Sequence, residues 1–211
     1  TGATCIHSAQ YINALEEVAW MMESHGNEAE AKTLRDEAAR LRKKAHKLFW
    51  SEEEGLYFDQ PGGPEVSQYG NAWAIVAGFA GPKEYAKIFQ RFPNDEKLAP
   101  GSFFWLHFGF KAGHYETMRD NLGPWLESIN YGLSTFVEEN SYWRSMCHAW
   151  SAHPILEFQQ RILGVTPVKP GYEAIEITPN LCGLTHASGS VCTPRGLIEV
   201  SWKVADGKLD F

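Results

Sequence analysis

Paired cysteines are missing from this sequence. Cys5, Cys147, Cys182 and Cys192 are its four cysteines, and none stand at C-x-x-C spacing. In a chain of 211 residues, that argues against a thiolate metal site or a disulfide scaffold. It leaves buried thiols packing as small hydrophobes, with no metal and no cofactor expected. Cys182 and Cys192 could face each other across a hairpin, which their spacing alone does not decide. Long apolar runs are also absent, so no segment is predicted to span a membrane. Thr1-Gly-Ala-Thr-Cys5 carries no signal-peptide pattern, from which a cytoplasmic location is expected. Dense positive charge is confined to Arg40-Leu-Arg-Lys-Lys44, in a stretch rich in Glu and Ala. Lys and Arg number 19 against 26 Asp and Glu, a net charge of −7. The run reads as a solvated helix face, and nucleic acid and other polyanions are disfavoured as partners.

Aromatic residues, by contrast, are plentiful. Hydrophobic residues make up 44% and charged residues 21% of the chain, a globular balance, but eight Trp, eight Tyr and twelve Phe bring aromatics to 13%. Trp73, Trp105, Trp125, Trp143 and Trp150 gather in the part of the chain that holds Ser134-Thr-Phe-Val-Glu138 and Cys147-His-Ala-Trp-Ser-Ala-His-Pro154. A carboxylate moves protons, an imidazole fixes hydroxyls, and a flat ring covers the apolar face of a sugar. The combination points to a cleft for carbohydrate.

Hydrophobic spacing predicts mostly helix. Tyr11, Leu15, Val18 and Met22 recur at helical intervals over residues 7–25, and Gly26 ends the run. Asn27 with Glu30 resembles a capping box for a second helix to about Phe49, with a stripe of Leu34, Ala38, Leu41, Ala45 and Leu48. Further helices are expected over 66–79, 82–91, 101–112, 115–129 and 147–163. In the first three, apolar residues nearly encircle the axis, as in helices buried on most sides. Residues 165–171 read as a Pro-punctuated linker. Strand alternation comes next at 173–178 and 196–203, then a turn at 205–207 and another strand from Lys208. Domains are expected over 1–163 (helical) and 164–211 (antiparallel β).

From about His7 to Trp202 an ordered series of motifs resembles the C-terminal half of glycoside hydrolase family 78, the α-L-rhamnosidases. The series runs through Phe49-Trp50, Gly55-Leu-Tyr-Phe58, Ser67-Gln-Tyr-Gly-Asn-Ala72, Ser134-Thr-Phe-Val-Glu138 and Cys147-His-Ala-Trp-Ser-Ala152 with Pro154. It continues through Ile162-Leu-Gly-Val-Thr-Pro167, Pro170-Gly-Tyr172, Ile177-x-Pro179 and Thr193-Pro-x-Gly196. The resemblance implies a mainly α chain, about half of an (α/α)6 toroid, followed by part of a β-sandwich. It implies inverting hydrolysis of terminal α-L-rhamnosides without a metal in the chemical step. Glu138 would be the general base and His148 a contact to the sugar. Val137 departs from the family's Trp or Pro at that place, and the family's general acid lies upstream of the matched region.

Inversion requires a second carboxyl roughly 6.5–9.5 Å from the base. Glu65, Glu116, Asp120 or a second copy of the chain are the sources considered for it. Glu139 is a reserve for the base. Trp105 and Trp143 are candidates for a cleft wall, and Gln68 and Asn71 for its inner mouth. Trp150 is expected to pack in the helix core, and His153 to be structural. Two readings remain: an active glycosidase, or a non-catalytic sugar-binding or structural remnant. Half a toroid would leave the helices around 71–79 and 101–112 unpartnered and an open sheet edge near 208–211, so a homo-oligomer is expected.

Overall fold

The computed structural model describes residues 2–92, 94–139 and 144–211. The chain divides into two compact units, 1–114 and 115–211. As expected, it is mainly helical with small antiparallel sheets.

In the first unit, α1 (Cys5–Ser24) starts at Thr4, whose hydroxyl accepts the His7 N–H, and α2 (Glu28–Phe49) returns against it. The buried positions of α2 are Ala31, Ala38, Ala45 and Phe49. Three alanines seven apart make a smooth seam that brings the two helices close, whereas Leu48 of the expected stripe is exposed. Asn27 makes no side-chain cap bond. Arg40, Lys43 and Lys44 of the basic run are exposed and Arg40 pairs with Glu37, whereas Arg42 is half-buried, pairing with Glu16 and donating to Ala77 C=O at 2.7 Å.

Strands β1 (Trp50–Ser51) and β2 (Leu56–Tyr57) form a small antiparallel pair, and β3 (Val66–Ser67) leads into α3 (Gln68–Val76). The Ser67 hydroxyl caps α3 by accepting from Gly70 N–H at 2.9 Å. Next come α4 (Pro82–Arg91), β4 (Leu98–Ala99), which pairs parallel with β3, and α5 (Phe103–Ala112). α3 packs between α1 and α5. Phe103, Trp105, Leu106, Phe108 and Phe110 of α5 are all buried, as is nearly all of α3. The apolar surface expected to lie open on these two helices is thus covered within the chain.

The second unit begins with two helices where one was expected, α6 (Tyr115–Asp120) and α7 (Gly123–Asn130). Pro124 lacks an N–H and is tolerated only in a first turn, so the helix stops and restarts around it. The expected helix over 147–163 is also divided. His148 is extended (φ −134°, ψ 118°), a 3₁₀ turn spans Ala149–Ala152, α8 spans His153–Glu157 with Pro154 in its first turn, and a π turn spans Phe158–Ile162.

The supposed linker is partly a strand. β5 (Val165–Pro167) pairs antiparallel with β6 (Ile175–Ile177), and Pro167 is accommodated because it sits at the end of an edge strand. β7 (His186–Thr193), β8 (Gly196–Ala205) and β9 (Lys208–Asp210) form a three-stranded antiparallel sheet in that order. Its inner face buries Val191, Val200 and Trp202 against Ile162, Leu163, Val165 and Cys182. Cys182 and Cys192 are both free thiols, not a bridge.

The last carbonyls of the π turn, which the helix itself cannot use, and that of Gly164 just after it accept hydrogen bonds from residues of the β region. Asn180 N–H donates to Arg161 C=O (2.9 Å), Trp202 Nε1–H to Ile162 C=O (3.0 Å) and Thr178 N–H to Gly164 C=O (3.0 Å). Gly164 takes φ +83°, and a Cβ there would lie on the Thr178 carbonyl carbon and the Pro179 nitrogen. Only glycine allows the strand to pass so close.

Candidate functional site

The Glu138 motif and the His148 motif meet in the second unit as two short antiparallel strands of irregular chain. Glu138 N–H donates to Ser145 C=O at 2.8 Å, and His148 N–H to Phe136 C=O at 2.7 Å. The Thr135 hydroxyl donates to Met146 C=O. This clasp turns both side chains to one place. A Glu138 carboxylate oxygen, Oε2, lies 4.0 Å from His148 Nδ1 and 3.4 Å from Arg144 Nε. The Glu138 side chain is only 10% exposed while its neighbours are much more open, Arg144 at 66% and His148 at 32%. A mostly buried carboxylate beside a reachable imidazole and a guanidinium suits proton abstraction at the edge of a polar surface.

Below the clasp lies the rest of the His-Ala-Trp-Ser motif. Trp150 Nε1–H donates to Glu138 C=O at 2.9 Å, and its ring lies 4.2 Å from that of His148. Trp150 is 39% exposed, so the core position expected for it is corrected. Its indole N–H is drawn to the surface clasp by the Glu138 carbonyl. The buried Ser151 hydroxyl reaches both Val137 C=O (2.5 Å) and His148 C=O (3.0 Å), donating to one at a time. Trp125 Nε1–H donates to Ser151 C=O at 2.7 Å, and its ring meets His153 edge-on at 5.4 Å. Val137 is itself buried and serves as the apolar floor of the motif. Glu139 follows Glu138 and is half-buried.

Of the other sequence candidates, Gln68, Asn71 and Trp105 belong to the first unit. Asn71 is fully buried, with Oδ1 accepting Tyr57 N–H at 2.8 Å and Nδ2 donating to the Tyr57 and Ser67 carbonyls at 3.0 Å each. Gln68 is buried and accepts Gly101 N–H through Oε1 at 2.8 Å. Trp105 is buried edge-on against Phe92 at 5.5 Å. Trp143 lies outside the described residues. Ser151 is a site-supporting residue that sequence reasoning did not single out, and Trp125, counted there among the tryptophans near the motifs, acts as a support through Ser151 C=O. The signal available for Ser151 was its place in the motif directly after Trp150.

Among the acid candidates, Asp120 is paired with Arg119 at 2.7 Å, and the hydrogen bond from that guanidinium holds its carboxyl below the usual carboxylate range. Glu116 stands in the first turn of α6, and Glu65 is exposed in the first unit.

Comparison with known proteins places the chain beside the rhamnosidases. Residues 164–211 match the model of the bacterial alpha-L-rhamnosidase C-terminal domain. An alpha-L-rhamnosidase from Alteromonas sp. (strain LOR) is 34% identical over 109 residues, covering 46% of this chain and 12% of that protein. The crystal structure of a GH78 family rhamnosidase from Bacillus sp. GL1 is similar at a TM-score of 0.77 and 29% identity, covering 94% of this chain and 23% of the other. The fold is also shared with a Streptomyces avermitilis alpha-L-rhamnosidase solved with L-rhamnose, at a TM-score of 0.68 and 15% identity, over 96% of this chain and 21% of that one.

The chain is therefore similar in sequence and fold to part of a glycoside hydrolase. More narrowly, it is related to the α-L-rhamnosidases of glycoside hydrolase family 78, in their C-terminal part. It spans between an eighth and a quarter of the length of these relatives. Among the described residues, no helix is long and apolar enough to cross a membrane.

Proposed function

We propose that this chain supplies the base side of an inverting α-L-rhamnosidase site, with Glu138 taking a proton from the attacking water and His148 binding a sugar hydroxyl. The observation that carries this reading is the mostly buried Glu138 carboxylate held 4.0 Å from the His148 ring. The helices would stand as half of an (α/α)6 toroid, with residues 164–211 as the associated β domain and residues 1–163 as the catalytic-type domain. The ligand is a terminal α-L-rhamnoside or related glycoside. The test is a screen of nitrophenyl glycosides, in which release from the α-L-rhamnoside above that from other sugars supports the reading. No release from any glycoside, together with L-rhamnose binding, selects the second reading, a sugar-binding relative without turnover.

His148→Ala separates ligand from fold. The ring is partly open and its backbone bond survives the change, so melting is expected to move little, within about 0.5 kcal/mol of stability. Affinity for L-rhamnose, read by calorimetry, is expected to fall as a hydroxyl donor is lost. A lower melting temperature with unchanged affinity would make His148 structural.

A homo-oligomer belongs to the same proposal. Exposed Tyr11, Trp20 and Met21 on α1, and Leu126, Ile129 and Tyr131 in and after α7, are the apolar residues it would cover. Light scattering at micromolar concentration is expected to give a multiple of 23.7 kDa. A single-chain mass that persists as concentration rises removes this part of the proposal.

A further inference from the structure

We infer that Trp150 and Ser151 are positioning residues: they set the separation of the Glu138 carboxylate from the His148 ring through the peptide groups that carry them. The inference deepens the reading of Glu138 and His148 as a working pair, and it rests on that reading.

The backbone of the clasp makes its two internal bonds at Glu138 N–H and His148 N–H. This leaves the carbonyls of Val137, Glu138 and His148 pointing away from the partner segment, and each is met by Trp150 or Ser151. The Trp150 indole N–H takes the Glu138 carbonyl, and the Ser151 hydroxyl serves those of Val137 and His148. Both residues sit on the short 3₁₀ turn Ala149–Ala152, immediately after His148. That turn is tied to α7 by the Trp125 indole through the Ser151 carbonyl. The peptide after Glu138 is therefore held by the Trp150 indole, and the peptide before it by the Ser151 hydroxyl when that hydroxyl turns to the Val137 carbonyl. A peptide held on both sides cannot rotate, and the side chain it bears keeps its direction. Trp150 also lies against the His148 ring, so one side chain touches both members of the pair. Its partial exposure fits this role better than a core role, because packing alone would not require the indole nitrogen to face a carbonyl.

The experiment is NMR of the His148 ring resonances at fixed pH in the full 211-residue chain. It is run on the wild type, Glu138→Gln, Trp150→Phe and the double variant, with Ser151→Ala as a second route into the same carbonyls. Arg144, the other charged group at the carboxylate, is kept throughout. Glu138→Gln removes the carboxylate that lies 4.0 Å from the ring and is expected to displace the His148 ring resonances. Trp150→Phe keeps the ring against His148 and deletes only the N–H. In that background the Glu138→Gln shift is expected to shrink to less than half, and Ser151→Ala is expected to shrink it likewise. Equal shifts with and without the Trp150 N–H and the Ser151 hydroxyl would overturn the inference. So would the absence of any Glu138→Gln effect on His148 in the otherwise wild-type chain. The readout needs no turnover. A normal coupling in a chain that cleaves no glycoside would keep the positioning role while removing the hydrolase reading.

Discussion

Glu138→Gln is expected to slow any α-L-rhamnoside hydrolysis by this protein by about 10²–10⁴-fold, the usual cost of losing a general base. The amide has the same shape as the carboxylate and can still meet Arg144 and His148, but it has no lone pair basic enough to take a proton from water. Because Glu138's backbone bonds to Ser145 and Trp150 do not involve the side chain, the fold is expected to survive. The loss should therefore appear in kcat and not as a melted protein. Steady-state rates on a nitrophenyl rhamnoside, beside a melting curve, check both halves. Full turnover by the variant would remove Glu138 from the chemistry.

Asn71→Ala carries the largest expected cost in stability. The side chain is fully buried and makes three bonds to main-chain groups of Tyr57 and Ser67. Truncation leaves the Tyr57 N–H and C=O without these partners in a place that water reaches poorly. Each orphaned group costs about 1–3 kcal/mol, so a loss of roughly 3–5 kcal/mol is expected. Against a total of about 5–15 kcal/mol for a typical domain, much of the folded population is at stake. Urea denaturation checks it: the midpoint is expected to drop sharply. An unchanged midpoint would release Asn71 from its brace and return it to the mouth of the sugar site.

Asn71 also shows what could be read from the sequence and what could not. Its helix was legible because Asn71-Ala-Trp-Ala-Ile-Val76 is apolar all round, and such a segment is buried on most sides. A polar residue in that setting is either a ligand contact or a brace for buried backbone. The choice depended on Tyr57, fourteen positions away, whose nearness is a product of the fold. Glu138 and His148 were legible because the chemistry sits on a short motif, and the clasp that joins them spans few residues. The breaks at Pro124 and Pro154 were visible as prolines, but the surrounding periodicity continued through them and hid the interruption. β5 was missed for a similar reason. Val165-Thr-Pro167 is too short to alternate, and its pairing with Ile175–Ile177 is settled by tertiary context.

The hydrogen bonds at the end of the π turn bear on modularity. Sequence boundaries invite excision at Gly164, where the matched C-terminal segment begins. Severing the chain there would strip Trp202 and Asn180 of their acceptors and remove Ile162 and Leu163 from the sheet's inner face. An isolated 164–211 piece would thus inherit an unfinished core, while the helical remainder would keep carbonyls with no donors. For expression and domain swapping, the indivisible module begins upstream of the π turn, and a graft between relatives should carry Phe158–Ile162 along with the strands.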